Sequence, residues 1–344
     1  MTGSGGQGAN GIGVPAASLL VVMVVVIAGC TGTAPGTGGQ VPPEQVTVAY
    51  SPYESTALLW IARDRGFFQE NGLNVTLRKY DSGSGSLDGV LRGEADMTIG
   101  VTEFPLVRQV FSGTQARALG VVDHGFFTYL VARKDRGIAN PADLRGKKIG
   151  TTIGTIAEFH LGRYLALHGM TLHDITLVDV KQPDDWVNAV ADGRIDAIAT
   201  AQPYADAARG RLGANAVVWP VQSHQPLYAL VVSTDGWVKG HPDAAARLLR
   251  ALGQADDFAA ANPGGARAIV QKDLDLQPEY MDTVWSQNEF ALSLDQSLIT
   301  TMEDESRWMI RNNLTNATEV PDFRQYLYTD GLDTVKPGSV SIIR

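Results

Sequence analysis

The residues best suited to chemistry lie at a predicted junction between a strand and a helix, in the stretch KKIGTTIGTIAEFHLGR (147–163). The pattern predicts a short strand over Lys148–Thr151, a glycine-containing turn, and a helix that begins near Thr155. Such turns lie beyond the carboxyl ends of strands, where α/β proteins bind their ligands. The free N–H groups and the positive dipole end of the helix can hold a small anion without a cationic side chain.

Three residues of this junction sharpen the interpretation. Thr155 is a candidate N-cap, and Glu158 follows at the spacing of a capping box. Gly154 would let the backbone approach a ligand closely. The same residue types suit an ordinary strand–helix junction, in which Glu158 simply caps its own helix. The stretch alone therefore leaves both interpretations open.

The elements that must position this junction follow a pattern that occurs twice. Strands are predicted first at Val46–Tyr50, Leu73–Tyr80 and Asp96–Gly100, and again at 148–151, 175–180 and 196–200. The tetrapeptide Gly93-Glu94-Ala95-Asp96 matches Gly193-Arg194-Ile195-Asp196, and a Gly/Ser loop, Asp81–Ser86, follows the second strand. A repeated βαβαβ unit predicts an α/β fold with two lobes, each with a parallel sheet at its core, whose strand ends face each other across a cleft.

Two further strand-like runs, Phe127–Ala132 and Leu227–Val232, would connect the lobes and flank a hinge. After the second run the pattern changes to helical periodicity, which forms a helical carboxyl-terminal segment. We therefore predict that residues 46–128 and 232–344 form the first lobe and that residues 129–231 form the second.

Composition limits the class of protein. A chain of 344 residues can build two lobes, each with its own core. The net charge of −9, with no basic cluster interleaved with aromatic residues, excludes nucleic-acid binding. No histidine spacing predicts a metal site, and Gly150-x-x-x-Gly154 lacks the lysine of a P-loop.

The first thirty residues predict a signal peptide of an exported lipoprotein. An apolar run over 14–29 ends at Cys30, the single cysteine, and its length suits a secretory segment better than a membrane span. Ile27-Ala28-Gly29-Cys30 resembles a lipobox, in which the cysteine is lipidated. The absence of Lys and Arg before the run leaves a misplaced start codon or an uncleaved anchor as alternatives. Residues 31–45 would be a flexible tether that holds the protein at the outer face of the cytoplasmic membrane.

Three stretches in this order resemble the substrate-binding proteins of nitrate/sulfonate/taurine-type ABC importers. They are SPYESTALLWIARDRGFFQENGLNV (51–75), NPADLRGKKIGTTIGTIAEFHLGRYLALHGM (140–170) and ADGRIDAIATAQPYADAA (191–208). The resemblance extends from Val46 to the carboxyl terminus. It implies a type II periplasmic-binding-protein fold that is not an enzyme and needs no cofactor. Its two lobes would close around one small ligand, which a permease and an ATPase then import, and the binding protein would be a monomer.

The resemblance also implies where the ligand binds. In relatives it is held by the loops after the first and third strands, by the start of the Gly-Thr helix, and by the loop after the last strand of the second lobe. In this chain those places are Ser51, Tyr53, Thr102, Glu103, Gly154, Thr155, Ile156, Gln202 and Tyr204. Each coincides with a loop that the strand pattern predicts independently.

Glu103 distinguishes this predicted site from a simple anion site. A carboxylate there would repel nitrate or a sulfonate by ~1–4 kcal/mol at about 4 Å and favour a ligand with a cationic or N–H donor end, such as taurine or an aminopyrimidine. A surface or capping glutamate is the alternative. No Arg occupies a predicted strand-end loop, so an anion would depend on N–H groups and hydroxyls. The candidate aromatic residues of the pocket, each of which could instead pack in the core, are Tyr53, Phe104, Phe126, Trp186 and Tyr204.

Two rival functions compete with import. The same fold serves hydroxymethylpyrimidine synthases of thiamine biosynthesis, but these carry a cysteine-rich motif, and the single cysteine of this chain lies in the leader. A pyrimidine-binding protein or a membrane-tethered sensor would also fit the pattern. The sequence leaves the ligand open among sulfonates, taurine, nitrate, carboxylates and pyrimidines.

Overall fold

The structure is a computed structural model that describes residues 42–343, and in these residues eleven strands form two sheets. In chain order the strands are β1 (Glu44–Tyr50), β2 (Leu73–Lys79), β3 (Met97–Thr102), β4 (Ala116–Gly125), β5 (Thr128–Arg133), β6 (Lys148–Thr151), β7 (Thr176–Asp179), β8 (Ala197–Ala201), β9 (Ala216–Pro220), β10 (Leu227–Thr234) and β11 (Asn288–Glu289). The helices are α1 (Ala57–Asp64), α2 (Phe67–Glu70), α3 (Gly83–Leu91), α4 (Glu103–Phe111), α5 (Ile156–Leu167), α6 (Pro183–Ala191), α7 (Tyr204–Leu212), α8 (Asp235–Gly240), α9 (Pro242–Ala261), α10 (Pro263–Asp273), α11 (Pro278–Val284), α12 (Gln296–Arg311) and α13 (Thr329–Val335).

Both sheets follow one strand order. The larger sheet runs β2-β1-β3-β10-β4-β11, and the smaller runs β7-β6-β8-β5-β9. In each sheet the first three strands are parallel, and the fourth, β10 or β5, is antiparallel to its neighbours. The fourth strand is the one that has just crossed from the other sheet. The predicted parallel cores are therefore confirmed, and the sheets become mixed because the crossing strands enter in the opposite direction.

Two aspartates explain why the repeat is visible in the sequence. Asp96 Oδ2 accepts a hydrogen bond from the N–H of Thr47 in β1 at 2.7 Å, and Asp196 Oδ2 accepts one from the N–H of Lys148 in β6 at 2.9 Å. The N–H groups of Asp96 and Asp196 bond in return to the carbonyl oxygens of the same two strand residues. Each aspartate therefore joins the first strand of its βαβαβ unit to the third.

The structure moves two boundaries that the sequence predicts. β1 begins at Glu44, so the predicted tether 31–45 overlaps the first strand by two residues. β10 pairs along its length with the larger sheet, so the lobe boundary at 231/232 would divide a strand, and the chain instead returns over 221–226. The predicted leader and Cys30 lie outside the described residues. Between residues 42 and 343 no helix has both the length and the apolar character of a membrane span.

The predicted Gly/Ser loop, Asp81–Ser86, is instead largely the first turn of α3. Ser82 is the N-cap of this helix, and its hydroxyl accepts a hydrogen bond from the N–H of Gly85 at 3.1 Å. Serine at the N-cap offsets the low helix propensity of the glycines that follow.

Helix α5 joins the cores of the two sheets. Phe159 packs in the core of the larger sheet, whereas Leu161 and Leu165 pack in the core of the smaller sheet. The Phe159 ring stacks on Phe104 of α4 at 5.6 Å and meets Trp308 of α12 edge-on at 5.4 Å. Because close-packed interiors resist deformation, this packing fixes the start of α5 between the sheets.

Candidate ligand-binding site

A cavity of about 90 Å³ lies where the carboxyl ends of the parallel strands of both sheets meet. Its volume is several times the ~10–15 Å³ that one water needs. Hydroxyl side chains line it from the larger-sheet side (Tyr53, Ser55, Ser82, Ser84 and Thr102) and from the smaller-sheet side (Thr152, Thr155 and Thr200). The larger apolar side chains of the wall are Pro105, Phe127, Ile156 and Trp186. Among the described residues, none that lines the cavity carries a charge.

Three helices begin at the wall of this cavity, namely α3, α4 and α5. The first N–H groups of a helix have no intrahelical acceptor, and the helix dipole makes this end positive. At α3 the backbone lies against β3, because a Cβ added to Gly83 would be 3.3 Å from the Cα of Val101. The cavity therefore presents helix N–H groups and hydroxyl side chains from both halves of the molecule, of which the hydroxyls of Ser84, Thr152 and Thr155 already donate to backbone carbonyl oxygens. No described residue of its wall supplies a cationic side chain.

Thr155 is the N-cap of α5, as predicted, but the predicted capping box does not form. The Thr155 hydroxyl donates to the carbonyl oxygen of Thr152 at 2.7 Å. The Glu158 carboxylate accepts a hydrogen bond from the N–H of Gly154 at 2.7 Å instead of from the N–H of Thr155. The first N–H groups of α5 itself, which are at the cavity wall, receive no acceptor from this pair.

Gly154 connects the two halves at the edge of the cavity. Its φ of +88° lies in the left-handed region that favours glycine. Its carbonyl oxygen accepts a hydrogen bond from the hydroxyl of Ser84, at the start of α3, at 3.3 Å. A Cβ at this position would be only 2.7 Å from Arg108 Nη1, so a larger residue would displace that side chain.

Aromatic side chains form another part of the wall. Trp186 Nε1 donates to the carbonyl oxygen of Val180 at 2.7 Å, and its ring meets the ring of Tyr204 edge-on at 4.7 Å. Tyr204 is in turn hydrogen-bonded to Tyr53. Burial raises the pKa of Tyr53, so its hydroxyl stays protonated and can donate a hydrogen bond.

Glu103 lies away from the cavity, in contrast to its expected position at the mouth of the cleft. It is the first residue of α4, and it is fully buried against α12 rather than facing the cleft. Its Oε2 accepts a hydrogen bond from the N–H of Tyr228 at 3.0 Å, and its carboxyl group contacts that of Glu305. Burial raises the pKa of Glu103 to about 8. The geometry thus gives no support to a contact between Glu103 and a cationic group of the ligand.

The other predicted site residues fall into three groups. Those that line the cavity are Tyr53, Thr102, Thr155 and Ile156. Those that contact lining residues from behind are Gly154 and Tyr204. Ser51 is buried without lining the cavity, and the side chain of Gln202 accepts a hydrogen bond from the N–H of Asp206 at 3.1 Å. Contact of any of these residues with a ligand stays a prediction.

Sequence reasoning missed the start of α3 and several hydroxyls of the smaller-sheet side. The signal for Ser82 and Ser84 was their place directly after β2, since every parallel strand of the unit ends at the same edge. Among the aromatic candidates, Trp186 and Tyr53 line the cavity, whereas Phe104 packs in the core. Phe126 is 42 % exposed, and its neighbour Phe127 lines the cavity instead.

The described part of the chain contains no group of three or more His, Cys, Asp or Glu side chains that could hold a metal ion. His160 is buried, with Nδ1 3.1 Å from the hydroxyl of Thr128. Burial lowers the pKa of His160 to about 3, so its imidazole is neutral at physiological pH.

Comparison with known proteins gives this geometry a context. The sequence profile of the family described as NMT1/THI5 like matches residues 54–266. The alkanesulfonate-binding protein SsuA of Xanthomonas axonopodis pv. citri, solved with bound MOPS, has a similar structure with a TM-score of 0.72 and 18% identity. The similarity covers 84% of this chain and 99% of SsuA. It confirms the two-lobed periplasmic-binding-protein fold.

Two sequence relatives differ in function. A Bacillus subtilis protein whose name proposes aliphatic sulfonates as its ligand is 23% identical over 244 residues, covering 69% of this chain and 71% of that protein. The 4-amino-5-hydroxymethyl-2-methylpyrimidine phosphate synthase of Aspergillus parasiticus is 25% identical over 242 residues, covering 66% of this chain and 68% of the enzyme. Relatives of this chain therefore include both binding proteins and enzymes.

Proposed function

This chain belongs to the NMT1/THI5-like family, and we propose that it is the solute-binding subunit of an ABC importer that captures a small organic sulfonate. One observation carries the proposal. The cavity between the two halves presents hydroxyls and three helix starts, but no charged side chain among the described residues of its wall. Such a site suits a monoanion, because N–H and O–H donors satisfy its oxygens and the helix dipoles stabilise its charge.

The wall also favours an organic anion over a mineral one. Trp186, Phe127 and Ile156 would contact the apolar part of an alkanesulfonate, whereas nitrate would leave this surface unused. Taurine fits less well, because none of the described lining residues offers a carboxylate to pair with its ammonium group. The placement of Glu103 in the core thus removes the reason to favour a zwitterion.

The relatives support the same ligand class. MOPS, the ligand in the similar SsuA structure, carries a sulfonate on a short alkyl chain, and the Bacillus subtilis relative is named for aliphatic sulfonates. Capture would occur outside the cytoplasm, with lipidated Cys30 anchoring a monomer to the outer face of the cytoplasmic membrane. A permease and an ATPase would then take up the sulfonate.

Isothermal titration calorimetry of the full chain in a non-ionic detergent tests this function. Butanesulfonate should bind with at least about tenfold higher affinity than taurine or nitrate. At 100 times its dissociation constant it should add ~2.7 kcal/mol to the free energy of unfolding. Failure of every sulfonate to bind would overturn the proposal.

A pyrimidine is the second candidate ligand, since Trp186 and Phe127 offer aromatic surface for a planar ring and one relative is a pyrimidine phosphate synthase. The same titration with 4-amino-5-hydroxymethyl-2-methylpyrimidine separates the two functions. Binding of this compound more tightly than butanesulfonate would favour the pyrimidine function.

A further inference from the structure

A buried acidic side chain lies beside the anion-holding end of α5. Glu158 is 1 % exposed, and its Oε2 accepts a hydrogen bond from the N–H of Gly154 at 2.7 Å. Gly154 directly precedes the cavity-lining residues Thr155 and Ile156. The carboxylate therefore occupies the N–H group directly before the N-cap of α5 and places a negative charge next to the site of a proposed anionic ligand.

This charge works against the binding of an anion. Two negative charges a few ångströms apart repel each other strongly in a partly buried site. Burial raises the pKa of Glu158, and the nearby charge of Asp179 acts in the same direction. The Gly154 N–H and the charge of Arg108 act in the opposite direction and favour the ionised form. Asp179 itself has a partner, Lys181, at 3.7 Å.

Arg108 is the cation that faces Glu158. It extends from α4, which belongs to the larger-sheet half, and its Nη1 lies 3.5 Å from Glu158 Oε2. Its guanidinium group lies against Gly154, in space that any side chain at that position would occupy. Arg108 thus crosses from one half of the molecule to the carboxylate of the other without entering the cavity wall.

We infer that Arg108 is a positioning residue that neutralises Glu158 and thereby allows the start of α5 to accept an anion. The inference rests on the proposed function, because it concerns the affinity of the same cavity for a sulfonate. Arg108 has no contact with the ligand in this role. It acts by cancelling a buried charge beside the site, and it does so only when the two halves are together, since the ion pair joins α4 to α5.

A double-mutant cycle with butanesulfonate as the probe tests this role. Titration calorimetry of the full chain would compare wild type, Arg108→Ala, Glu158→Gln and the double variant at pH 7.5. Arg108→Ala should lower the affinity at least about tenfold, because Glu158 then faces the sulfonate unpaired. The double variant should recover to within about threefold of wild type, because the introduced amide is neutral and can still accept from the Gly154 N–H.

The pH profile adds a readout that a merely structural role would not change. In Arg108→Ala the affinity should rise as the pH falls from 7.5 to 5.5, since protonation of Glu158 removes the repulsion. The double variant should show no such rise. The matched control is Arg163→Ala, which removes another ion pair of α5 with the larger half, to Asp304 of α12, about two turns from the helix start. This control should bind within about twofold of wild type.

Three outcomes would overturn the inference. Equal losses in Arg108→Ala and Arg163→Ala would show that any ion pair across the halves has the same effect. If wild type binds the sulfonate but the double variant does not recover its affinity, the role of Arg108 is overturned while the proposed function is not. Failure of wild type to bind any sulfonate would overturn the proposed function and the role of Arg108 together.

Discussion

The two βαβαβ units of this protein are alike where their strands begin and different where their strands end. At the beginnings, Asp96 and Asp196 make the same pair of hydrogen bonds to the first strand of their units. At the ends, the larger half contributes a Ser/Gly helix start, and the smaller half contributes the start of α5 with its buried Glu158. The comparison shows that the scaffold is duplicated, whereas the donors offered to a ligand are specific to each half.

The helices that carry these ends also differ in their surroundings. The buried side chains of α3 pack beside its own sheet, with Leu87 in the larger core and Val90 beside Ala49 of β1. Helix α5 packs against both sheets through Phe159 and Leu165. The position of the amino-terminal end of α5 therefore depends on contacts that the other half supplies.

Substitution at the contact between α5 and α12 should lower the free energy of unfolding most, because this contact packs α5 against the larger half. A Cβ on Gly162 would overlap the ring of Trp308, so Gly162→Leu must displace that ring or the helix. We expect the free energy of unfolding to fall by about 3 kcal/mol or more, measured by urea denaturation. Gly210→Ala in α7, where space is open, is the control and should raise stability by up to ~1 kcal/mol. Wild-type stability of Gly162→Leu would show that α5 is not held between the halves.

The residue directly after the third strand differs in charge between the two units. Glu103 follows β3, and Gln202 follows β8; both are buried, but only Glu103 titrates. Burial raises the pKa of Glu103 to about 8 from an ordinary value of 4.5, so the stability that its protonated form contributes is fully present below pH 4.5. The contribution of Glu103 to stability should therefore fall as the pH rises from 4.5 to about 8 and level off above pH 8.

Glu103→Gln should remove the part of this fall that Glu103 contributes, because an amide accepts from the Tyr228 N–H without losing a proton, whereas Glu305, whose pKa burial also raises, keeps its own pH dependence. At pH 8.5 we expect the variant to exceed wild type by about 2–3 kcal/mol in the free energy of unfolding, with a difference of less than about 1 kcal/mol at pH 5.5. Urea denaturation at both pH values measures this. Parallel pH dependence in the two proteins would contradict the account of the Glu103–Glu305 pair.

The duplicated aspartates should have the smallest and most similar effects. Asp96→Ala and Asp196→Ala should each lower the free energy of unfolding by about 1–2 kcal/mol, since a strand N–H loses its acceptor. Asp→Asn at the same positions keeps an acceptor and should cost less. If one of the two alanine substitutions lowers the free energy of unfolding by more than about 1 kcal/mol beyond the other, the two halves share a strand order but not the energetic role of this aspartate.

Local patterns in the sequence determined the elements and the edge at which the site lies. Strand alternation and the repeated Gly-x-x-Asp motif act over a few residues, so the two parallel cores and the N-cap at Thr155 were predicted correctly. Ligands of α/β folds bind at the carboxyl ends of strands, which placed the cavity before its walls were known.

Tertiary structure alone decided which side chains face the cavity. Glu103 lies in the core beside the N–H of Tyr228 in β10 and the carboxyl group of Glu305 in α12, both more than a hundred residues away in sequence, and the helical Gly/Ser run packs against β3. Arg108 reaches Glu158 across fifty residues of sequence, only because α4 and α5 pack together. Burial and charge pairing are set by neighbours distant in the chain, and no local pattern encodes such neighbours.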